Sequence, residues 1–516
     1  MDSRLSESDD SPAPAASDAA NGIYTSEQAP LLHVTDPGTA ADRSLRRRVI
    51  GMCAVFLFVI EASQVMMEPP TQEIMESIIC RNHYPDHRVR NDERCKNTDV
   101  QKTLAMVRSW CMSAEMIIPL VVQVPYGIIA DKFGRRTVLF LSLVGCVLQT
   151  AWTMVVLFLP NFFSIWALLY GNMAYAIGGG GQMASAMIWT ILSDITPVAE
   201  RTAVFYRIYA LFLLLGVIAN PMAALVLAID PWFAMWLGFG ILIIGALTAL
   251  LIPETLRLRQ RVDSERQEQD SLSQDTDCLA PVKAGRARQA WSALRSNAGH
   301  IWRFVCGSRR VTILICAYGL HFAGRINVYL NLLQYMTRRF SWEWSTAAYV
   351  STVNNVTSVV VLLVVIPAAS SILVKHCGYD AQLRDLVLSR ASIILVVVGG
   401  YMQALAAVPW LFVLSLIITS LGGGFTPLCR ALLSAIVEPH MVATLNTTLS
   451  TMETLVSLVG APALGWLLSH GFELGGPWLG LPYLVTAGCS TLVLATVFAF
   501  GNPDESAKVP EERNSP

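Results

Sequence analysis

Charged side chains are scarce in this chain. Asp, Glu, Lys and Arg make up 15% of its 516 residues, whereas they make up about a quarter of an ordinary soluble domain. This scarcity excludes a plain cytosolic enzyme. The formal net charge is only −1, which excludes the strongly basic surface that binding to nucleic acid requires.

The sequence also lacks the patterns of metal and cofactor sites. None of its eleven cysteines forms a CxxC pair or shares the spacing of a zinc site with histidine. No glycine-rich loop ends in the Lys-Ser/Thr pair that holds a nucleotide phosphate, and no clustered set of catalytic residues is visible. We therefore expect no metal, no cofactor and no enzymatic activity.

Apolar residues fill most of the chain instead. Hydrophobic residues make up 53% of it, and most charges fall in residues 1–48, 80–102, 253–310 and 502–516. A helix needs about 20 mainly apolar residues to cross about 30 Å of hydrocarbon. The sequence therefore predicts an all-α membrane protein with twelve transmembrane spans. In chain order, the predicted spans are residues 49–68, 104–129, 137–159, 163–192, 203–228, 232–252, 311–335, 346–374, 391–407, 409–437, 442–469 and 479–500.

The spans fall into two groups of six. We predict a disordered cytoplasmic tail (1–48), an N-terminal half (49–252), a cytoplasmic linker (253–310), a C-terminal half (311–500) and a second cytoplasmic tail (501–516). With the N-terminus inside, the cytoplasmic segments carry most of the Lys and Arg, as the positive-inside rule requires. We expect the chain to act as a monomer in the lipid bilayer.

The loop between spans one and two contains two cysteines, Cys80 and Cys95. In an oxidising compartment they would close a loop of about 15 residues, and such a disulfide is worth about 3 kcal/mol on a chain-entropy model. We expect this bridge to form. The alternative is a pair of unpaired cysteines in a mobile loop.

Glycines repeat between the two halves at an offset of 244 residues. The matched pairs are Gly134 with Gly378, Gly178–Gly180 with Gly422–Gly424, and Gly216 with Gly460. Parallel repeats of six spans are typical of one large class of secondary transporters, whose substrate site lies near the bilayer midplane. We expect the glycines of span four to lie inside a continuous helix, where they permit close helix crossing.

Residues 127–137, between spans two and three, read GIIADKFGRRT. This segment closely resembles the signature loop of the major facilitator superfamily, and it lies at the expected cytoplasmic position. The residues that carry the resemblance are Gly127, Asp131, Gly134, Arg135 and Arg136. The resemblance implies the fold of that superfamily, with two six-helix pseudo-repeats.

The resemblance also implies a conformational latch, which holds the outward-open state. Gly127 and Gly134 would let helix ends approach and turn tightly, and Asp131 would face the positive N-terminus of span eleven. Arg135 would then pair with Asp194 at the inner end of span four. The alternative, a basic turn that follows the positive-inside rule, explains the basic residues but not the aspartate and both glycines.

Span five contains a second partial motif. Residues 216–224 resemble a degraded form of a motif found in proton antiporters, with Asn220 and Ala224 in place of two glycines. Gly216 and Pro221 remain, and we expect a bend at the proline because its ring removes a backbone hydrogen bond. An ordinary proline kink is the alternative. Overall, the chain resembles twelve-span fungal exporters of drugs and metabolites that exchange them for protons.

Ionisable residues inside the membrane are the candidate functional residues, because each costs at least about 2.5–3.5 kcal/mol on insertion scales. Spans three, six, nine and twelve have none in their cores, as expected of peripheral spans. Counting residues along each helix places Glu61, Arg325 and Glu453 about midway through the membrane, Glu115 also deep, and Glu68 and Arg430 nearer the faces.

Two interpretations of this set stay open. Desolvation and a nearby cation shift the pKa of a carboxyl in opposite directions, so an acid beside Arg325 could exchange a proton during transport. Alternatively, Glu61 or Glu453 forms a static ion pair with Arg325 that only fixes packing. The amides of Gln64, Asn327 and Asn354 are candidates for binding the substrate, or for joining neighbouring helices.

The leading functional hypothesis is a secondary active transporter that exports a small organic compound, a drug or secondary metabolite, in exchange for protons. The alternatives are a proton-coupled uptake symporter, a non-transporting membrane sensor and, with least support, a membrane enzyme. The plasma membrane is the leading location. Residues 27–32 resemble an acidic dileucine sorting signal, which makes the vacuolar membrane the alternative.

Overall fold

The computed structural model describes residues 40–85, 92–196, 198–252, 309–437 and 442–499. Every regular element in these ranges is helical. The α-helices are α1 (Ala40–His83), α2 (Thr98–Phe133), α3 (Arg135–Phe158), α4 (Leu168–Gly171), α5 (Gly180–Ile195), α6 (Val198–Ile229), α7 (Pro231–Ala249), α8 (Arg309–Arg339), α9 (Trp344–Val360), α10 (Ile366–Cys377), α11 (Ala381–Leu405), α12 (Pro409–Leu421), α13 (Phe425–Ile436), α14 (Val442–Leu474) and α15 (Leu481–Ala499).

The prediction of an all-α membrane fold is confirmed. Within the described ranges, ten helical segments are long and apolar enough to cross a membrane. They correspond to all the predicted spans except four and five. Span five is α6, in which the described side chains form an apolar stretch from Leu214 to Ile229, and span four is interrupted.

Local capping explains where several helices begin. Asn97 accepts a hydrogen bond from the backbone amide of Thr98 at the start of α2. Asp230 does the same for Phe233 at 2.8 Å, and Pro231 follows it as the first residue of α7. Because the first amides of a helix have no partner within it, such side chains fix the start of the helix. The local sequence therefore specifies where α2 and α7 begin.

Helix α1 is longer than predicted. It runs 44 residues and passes through Pro69 and Pro70 without ending. At 1.5 Å per residue it is about 66 Å long, so it extends beyond the hydrocarbon at its ends. The prediction of disorder is wrong for residues 40–48, which are helical and rich in Ala, Arg and Leu, three good helix formers. Residues 1–39 lie outside the described part, as do 253–308 of the linker and the tail from residue 500.

Span four is broken rather than continuous, which corrects the expectation for its glycines. Gly178, Gly179 and Gly180 have φ values of 82°, 85° and 61°, a conformation that only glycine adopts readily. A Cβ on Gly178 would overlap the backbone of Leu141 and Ser142 in α3. The glycines therefore end one helical segment and begin α5 where the backbone of α3 is too close for side chains.

The matching glycines in the C-terminal half also interrupt the α-helix of a span, although this span continues through them as one helical segment. Gly422–Gly424 form a 3-10 turn between α12 and α13, and a Cβ on Gly422 would come within 2.5 Å of the Ser392 carbonyl oxygen in α11. Spans four and ten thus share a glycine interruption against the preceding helix. The repeat seen in the sequence is present in the fold.

The two halves pack along two pairs of helices, α2 with α14 and α6 with α9. We call the end of the bundle that carries Cys80 and Cys95 the outer end, following the predicted orientation. At this end Lys102 forms an ion pair with Glu473, and Ser113, near the middle of α2, donates through Oγ to the Leu458 carbonyl oxygen at 2.9 Å. Helices α2 and α14 are therefore closed against each other at the outer end.

Candidate functional site

A cluster of polar side chains joins the two halves, and we call it the Glu68 cluster. Glu68 of α1 lies 3.7 Å from Arg108 of α2, measured between Oε1 and Nη2. Its other oxygen accepts a hydrogen bond from the Tyr329 hydroxyl of α8 at 3.0 Å. Gln72 donates to Glu68 at 3.0 Å, and Arg108 donates to Gln334 of α8 at 3.5 Å. An acid and a base of the N-terminal half thus contact two residues of the C-terminal half.

Placing Arg108 in this cluster costs free energy, because its charge is removed from water. Arg108 is 9% exposed and lies ten residues into α2, about 15 Å along its axis. A charge removed from water must be paired or hydrogen-bonded, and Glu68 and Gln334 are the partners found here. Arg108 and Tyr329 are not among the residues predicted from the sequence, and Glu68 is predicted to lie near a face. The signal for Arg108 was available, since it is a cation within an otherwise apolar run.

Glu115 lies deeper along the same helix. It is seven residues, or two turns, beyond Arg108 and close to the middle of α2, as the sequence predicted. Tyr175, on the 3-10 turn Asn172–Ala176 of span four, is a neighbour of its carboxyl group. Tyr175 is buried, so this carboxyl faces a confined environment between α2 and span four.

A second charged cluster lies wholly within the C-terminal half, and we call it the Glu453 cluster. Arg430 of α13 contacts Glu453 of α14 at 2.7 Å. Its Nε donates to the Tyr318 hydroxyl of α8 at 2.8 Å, and that hydroxyl donates to Glu453. The guanidinium also lies 5.4 Å from the centre of the Tyr318 ring, within the range of a cation–π interaction.

Glu453 therefore pairs with Arg430 rather than with Arg325, the partner named in the static-ion-pair alternative. Arg325 is exposed, lies 5.7 Å from the ring of Phe322 and forms no ion pair with any residue that the structure describes. Tyr318, which does meet Glu453, is two helical turns before Arg325 on α8. Counting residues from the start of each helix did not reveal this, because the helices begin at different levels.

The other predicted residues do not converge on one point. No hydrogen bond or ion pair within the described ranges joins Glu61, Arg325 and Glu453. Glu61 is half-buried, and Gln64, one turn later on α1, is exposed.

Two of the three candidate amides join helices. Asn327 donates to Thr486 of α15 at 3.4 Å and accepts from Asn331 at 2.8 Å. Asn354 of α9 accepts from Ser420 of α12 at 2.7 Å. These bonds match the alternative interpretation, in which the amides fix helix packing.

The signature loop contains a buried ion pair. Arg135, 1% exposed at the start of α3, contacts Asp194 near the end of α5 at 2.7 Å. Gly134 separates α2 from α3 with φ 106°. Gly127 does not act as expected, because a Cβ there would meet nothing within 4 Å. The side chain of Asp131 and residues 438–441 before α14 lie outside the described part, as does any contact between them.

The remaining predicted features have these positions. Cys80 and Cys95 form a disulfide, and both are buried. Pro221 lies inside α6, where the Asn220 side chain donates to the Gly216 carbonyl oxygen at 2.6 Å. Pro221 also lines a pocket formed with residues 349–357 of α9. Among the described residues, no group of His, Cys, Asp and Glu could hold a metal ion.

Comparison with known families and proteins gives a consistent result. The family model of the Major Facilitator Superfamily matches residues 105–379, more than half of the chain. The MFS efflux pump atnC of Emericella nidulans is 24% identical over 509 residues, covering 95% of this chain and 94% of that protein. The efflux pump ustT of Aspergillus flavus is 27% identical over 459 residues, covering 86% of each.

Solved structures share the fold at low identity. The nucleoside transporter NupG is 12% identical, with a TM-score of 0.58 over 88% of this chain and 98% of that chain. A D-xylose-proton symporter is 12% identical, with a TM-score of 0.55 over 87% and 98%. At this identity the likeness concerns the arrangement of helices alone.

Proposed function

The chain belongs to the major facilitator superfamily, and from this premise we propose that it exports a small organic compound in exchange for protons by alternating access. As a member it is a multi-pass membrane transporter. Two relatives that match most of its length are named as efflux pumps, which supports export over uptake. We further propose that it works as a monomer in the plasma membrane, with the vacuolar membrane as the alternative.

The observation that carries the coupling proposal is the Glu68 cluster. Its carboxylate lies where the halves meet, bonded to Arg108 on one side and Tyr329 on the other. A proton on Glu68 would cancel its charge and weaken both contacts, so proton binding would change how strongly the halves hold together. A ligand shifts a conformational equilibrium only if it binds the two conformations of the protein with different affinity. A carboxylate whose contacts change when the halves move would bind a proton differently in the two conformations.

Three other acids are further candidates for carrying protons. Glu115 is confined beside Tyr175, Glu453 is paired with Arg430, and Glu61 has no bonded partner among the described residues. We propose that Arg325 and Gln64, which are exposed and unbonded within the described ranges, face the substrate. Asn327 and Asn354 have weaker support in that role, because their amides are engaged between helices.

The direct test of function compares metabolites inside cells and in the medium, with and without the chain. Export predicts that at least one compound accumulates inside cells that lack it and falls in their medium. Loss of a compound from the cells would instead support the uptake symporter. No change in any compound would contradict transport and favour the sensor.

The test of coupling uses the exported compound once it is found. In sealed inside-out vesicles, adding the compound should move protons outward through the wild-type chain, detected by a pH-sensitive dye in the lumen. The variant Glu68→Gln keeps the size of the side chain but carries no exchangeable charge, so transport should persist at a reduced rate with little dependence on the pH gradient. Glu93→Gln, at an exposed position in the loop before α2, is the matched control. Proton movement equal to wild type in Glu68→Gln would contradict the role of Glu68.

A further inference from the structure

Glu76 lies at the outer end of α1, where its carboxylate is almost fully enclosed. It is 5% exposed, although residues 69–83 lie beyond the span predicted from hydropathy. Lys96, from the loop before α2, donates to both its oxygens at 2.8 and 2.9 Å, and the Gln101 side chain donates to Oε1. The indole Nε1 of Trp344, the first residue of α9, donates to Oε2 at 2.6 Å.

Glu76 and its partners form a buried ion pair, although charged side chains at this outer end could remain in water. Glu76 and Lys96 are both buried, and a buried ion pair loses about as much hydration energy as it gains from attraction. Stability alone therefore does not account for it. Trp344 is fully buried, and the Lys96 ammonium lies 5.4 Å from the centre of its ring. Trp344 thus contacts the acid through its N–H and the base through its face.

The partners of Glu76 are divided unequally between the halves. Lys96 and Gln101 belong to the N-terminal half with Glu76, whereas Trp344 belongs to the C-terminal half. When the halves separate, Glu76 keeps its two N-terminal partners and loses only Trp344. The ion pair need not be rebuilt in each transport cycle, so it is a preorganised acceptor on which Trp344 can dock repeatedly.

The disulfide holds Lys96 in this position. Cys95, the residue before Lys96, is bonded to Cys80, one helical turn after Glu76 on α1. The Cys95 carbonyl oxygen also accepts from Gln101 at 3.0 Å. The loop that supplies the cation is therefore fixed to the same helix that supplies the acid.

From these contacts we propose that Trp344, docked on the Glu76–Lys96 pair, is a positioning residue that holds the outer end closed. The Cys80–Cys95 disulfide keeps the pair in place to receive it. This inference rests on alternating access, but not on proton coupling or on the direction of transport. Losing the indole N–H, or releasing Lys96, should therefore shift the transporter towards an outward-open arrangement.

The experiment measures how readily a reporter cysteine near the middle of α2, covered by α14, reacts from outside. Ser113 is buried between α2 and α14, so the variant Ser113→Cys becomes accessible only when those helices separate. The nine cysteines other than Cys80 and Cys95 are replaced by serine, and a charged, membrane-impermeant maleimide is added outside intact cells. In this background Trp344→Phe keeps an aromatic ring but removes the donor. A hydrogen bond to a charged group is worth enough that we expect labelling to accelerate about tenfold.

Two further variants and two controls complete the design. Glu76→Gln, which removes the charge, and Cys80→Ser with Cys95→Ser, which releases the loop, should also accelerate labelling. Trp342→Phe is the matched control, because Trp342 packs on Phe340 and has no bond to Glu76; its labelling rate should not change. Lys102→Cys, exposed at the outer end, should be labelled at once in every background.

Several outcomes would overturn the proposal. One is wild-type labelling of Ser113→Cys in Trp344→Phe at normal surface abundance, and another is equal acceleration by Trp342→Phe. Failure of Lys102→Cys to react from outside would also overturn it, since this end would then face the cytoplasm. None of these readouts needs a transported compound. An absence of efflux would therefore contradict the proposed function without changing the conclusion about Trp344.

Discussion

At the scale of single residues, the buried charges of this chain have different surroundings, and these predict different consequences of mutation. Glu453 has a cation and a hydroxyl as partners, while Glu61 has neither among the described residues. Removing one member of an ion pair leaves the other without compensation. Removing a carboxyl that has no bonded partner leaves no unpaired charge behind.

We therefore expect Glu453→Gln to destabilise the protein and Glu61→Gln to have little effect on stability. Glu453 and Arg430 are partly exposed, at 25% and 37% of their side chains, so solvent reduces the loss to about 1 kcal/mol. The measurement is the unfolding temperature of each purified variant in detergent. Equal temperatures for the two variants would show that the Arg430 pair adds no stability.

Gly134 and Gly127 form a second matched pair of residues. Gly134 has φ 106° and ψ 147°, a region almost restricted to glycine, where other residues incur about 1–3 kcal/mol of strain. Gly134→Ala should therefore lower the unfolding temperature and the amount of folded protein in the membrane. Gly127→Ala, with open space around the added methyl, should resemble wild type. A stable Gly134→Ala protein would mean that the turn between α2 and α3 can relax.

Sequence alone predicted these residues unevenly. Rarity of charge in apolar runs pointed to Glu115 and Glu453, and the motif pointed to Arg135 and Asp194. The sequence did not reveal the pairing of Glu453 with Arg430, because that pairing depends on how each helix is rotated and positioned along the bundle axis. Arg108 carried the same signal as Glu115, a charge within an apolar run, four residues after the predicted start of span two.

At the scale of elements, hydropathy predicted nearly every span but not where spans are interrupted. Composition averaged over about 20 residues cannot distinguish a continuous apolar helix from one with a break in its middle. The glycine repeat contained that information, yet glycine both permits close helix crossing and ends helices. The structure assigns both effects to the same residues, since the interruptions lie where the preceding helix comes closest.

This arrangement predicts sharply different tolerance at adjacent glycines. Gly422→Ala would force a methyl against the backbone of α11, whereas Gly423→Ala meets nothing within 4 Å. The free energy of unfolding of the first variant should fall by about 1–3 kcal/mol, which is typical of overpacking, and less folded protein should be recovered. The second should be unchanged or slightly more stable, because alanine favours helix. Size-exclusion profiles and unfolding temperatures of the two variants test this, and similar behaviour would remove the packing explanation.

At the scale of the whole molecule, the described contacts near the outer end hold α2 against α14, and the Glu68 cluster and Trp344 add bonds between the halves nearby. The sequence predicted two halves from the repeat, but not which end is closed. That depends on the balance between two arrangements of the same helices, and hydropathy and repeats carry no information about this balance. A transporter that alternates must break these outer contacts once in every cycle.

A crosslink across the outer end should therefore stop transport. Lys102 and Glu473 are both exposed and in contact across α2 and α14, so Lys102→Cys with Glu473→Cys can be joined by a short bis-maleimide added outside the cell. Export of the compound found in the metabolite comparison should fall to background in the crosslinked protein. Each single variant, treated in the same way, should retain export. Full export by a crosslinked double variant would mean that the outer ends of α2 and α14 need not separate, which would contradict alternating access at this end of the bundle.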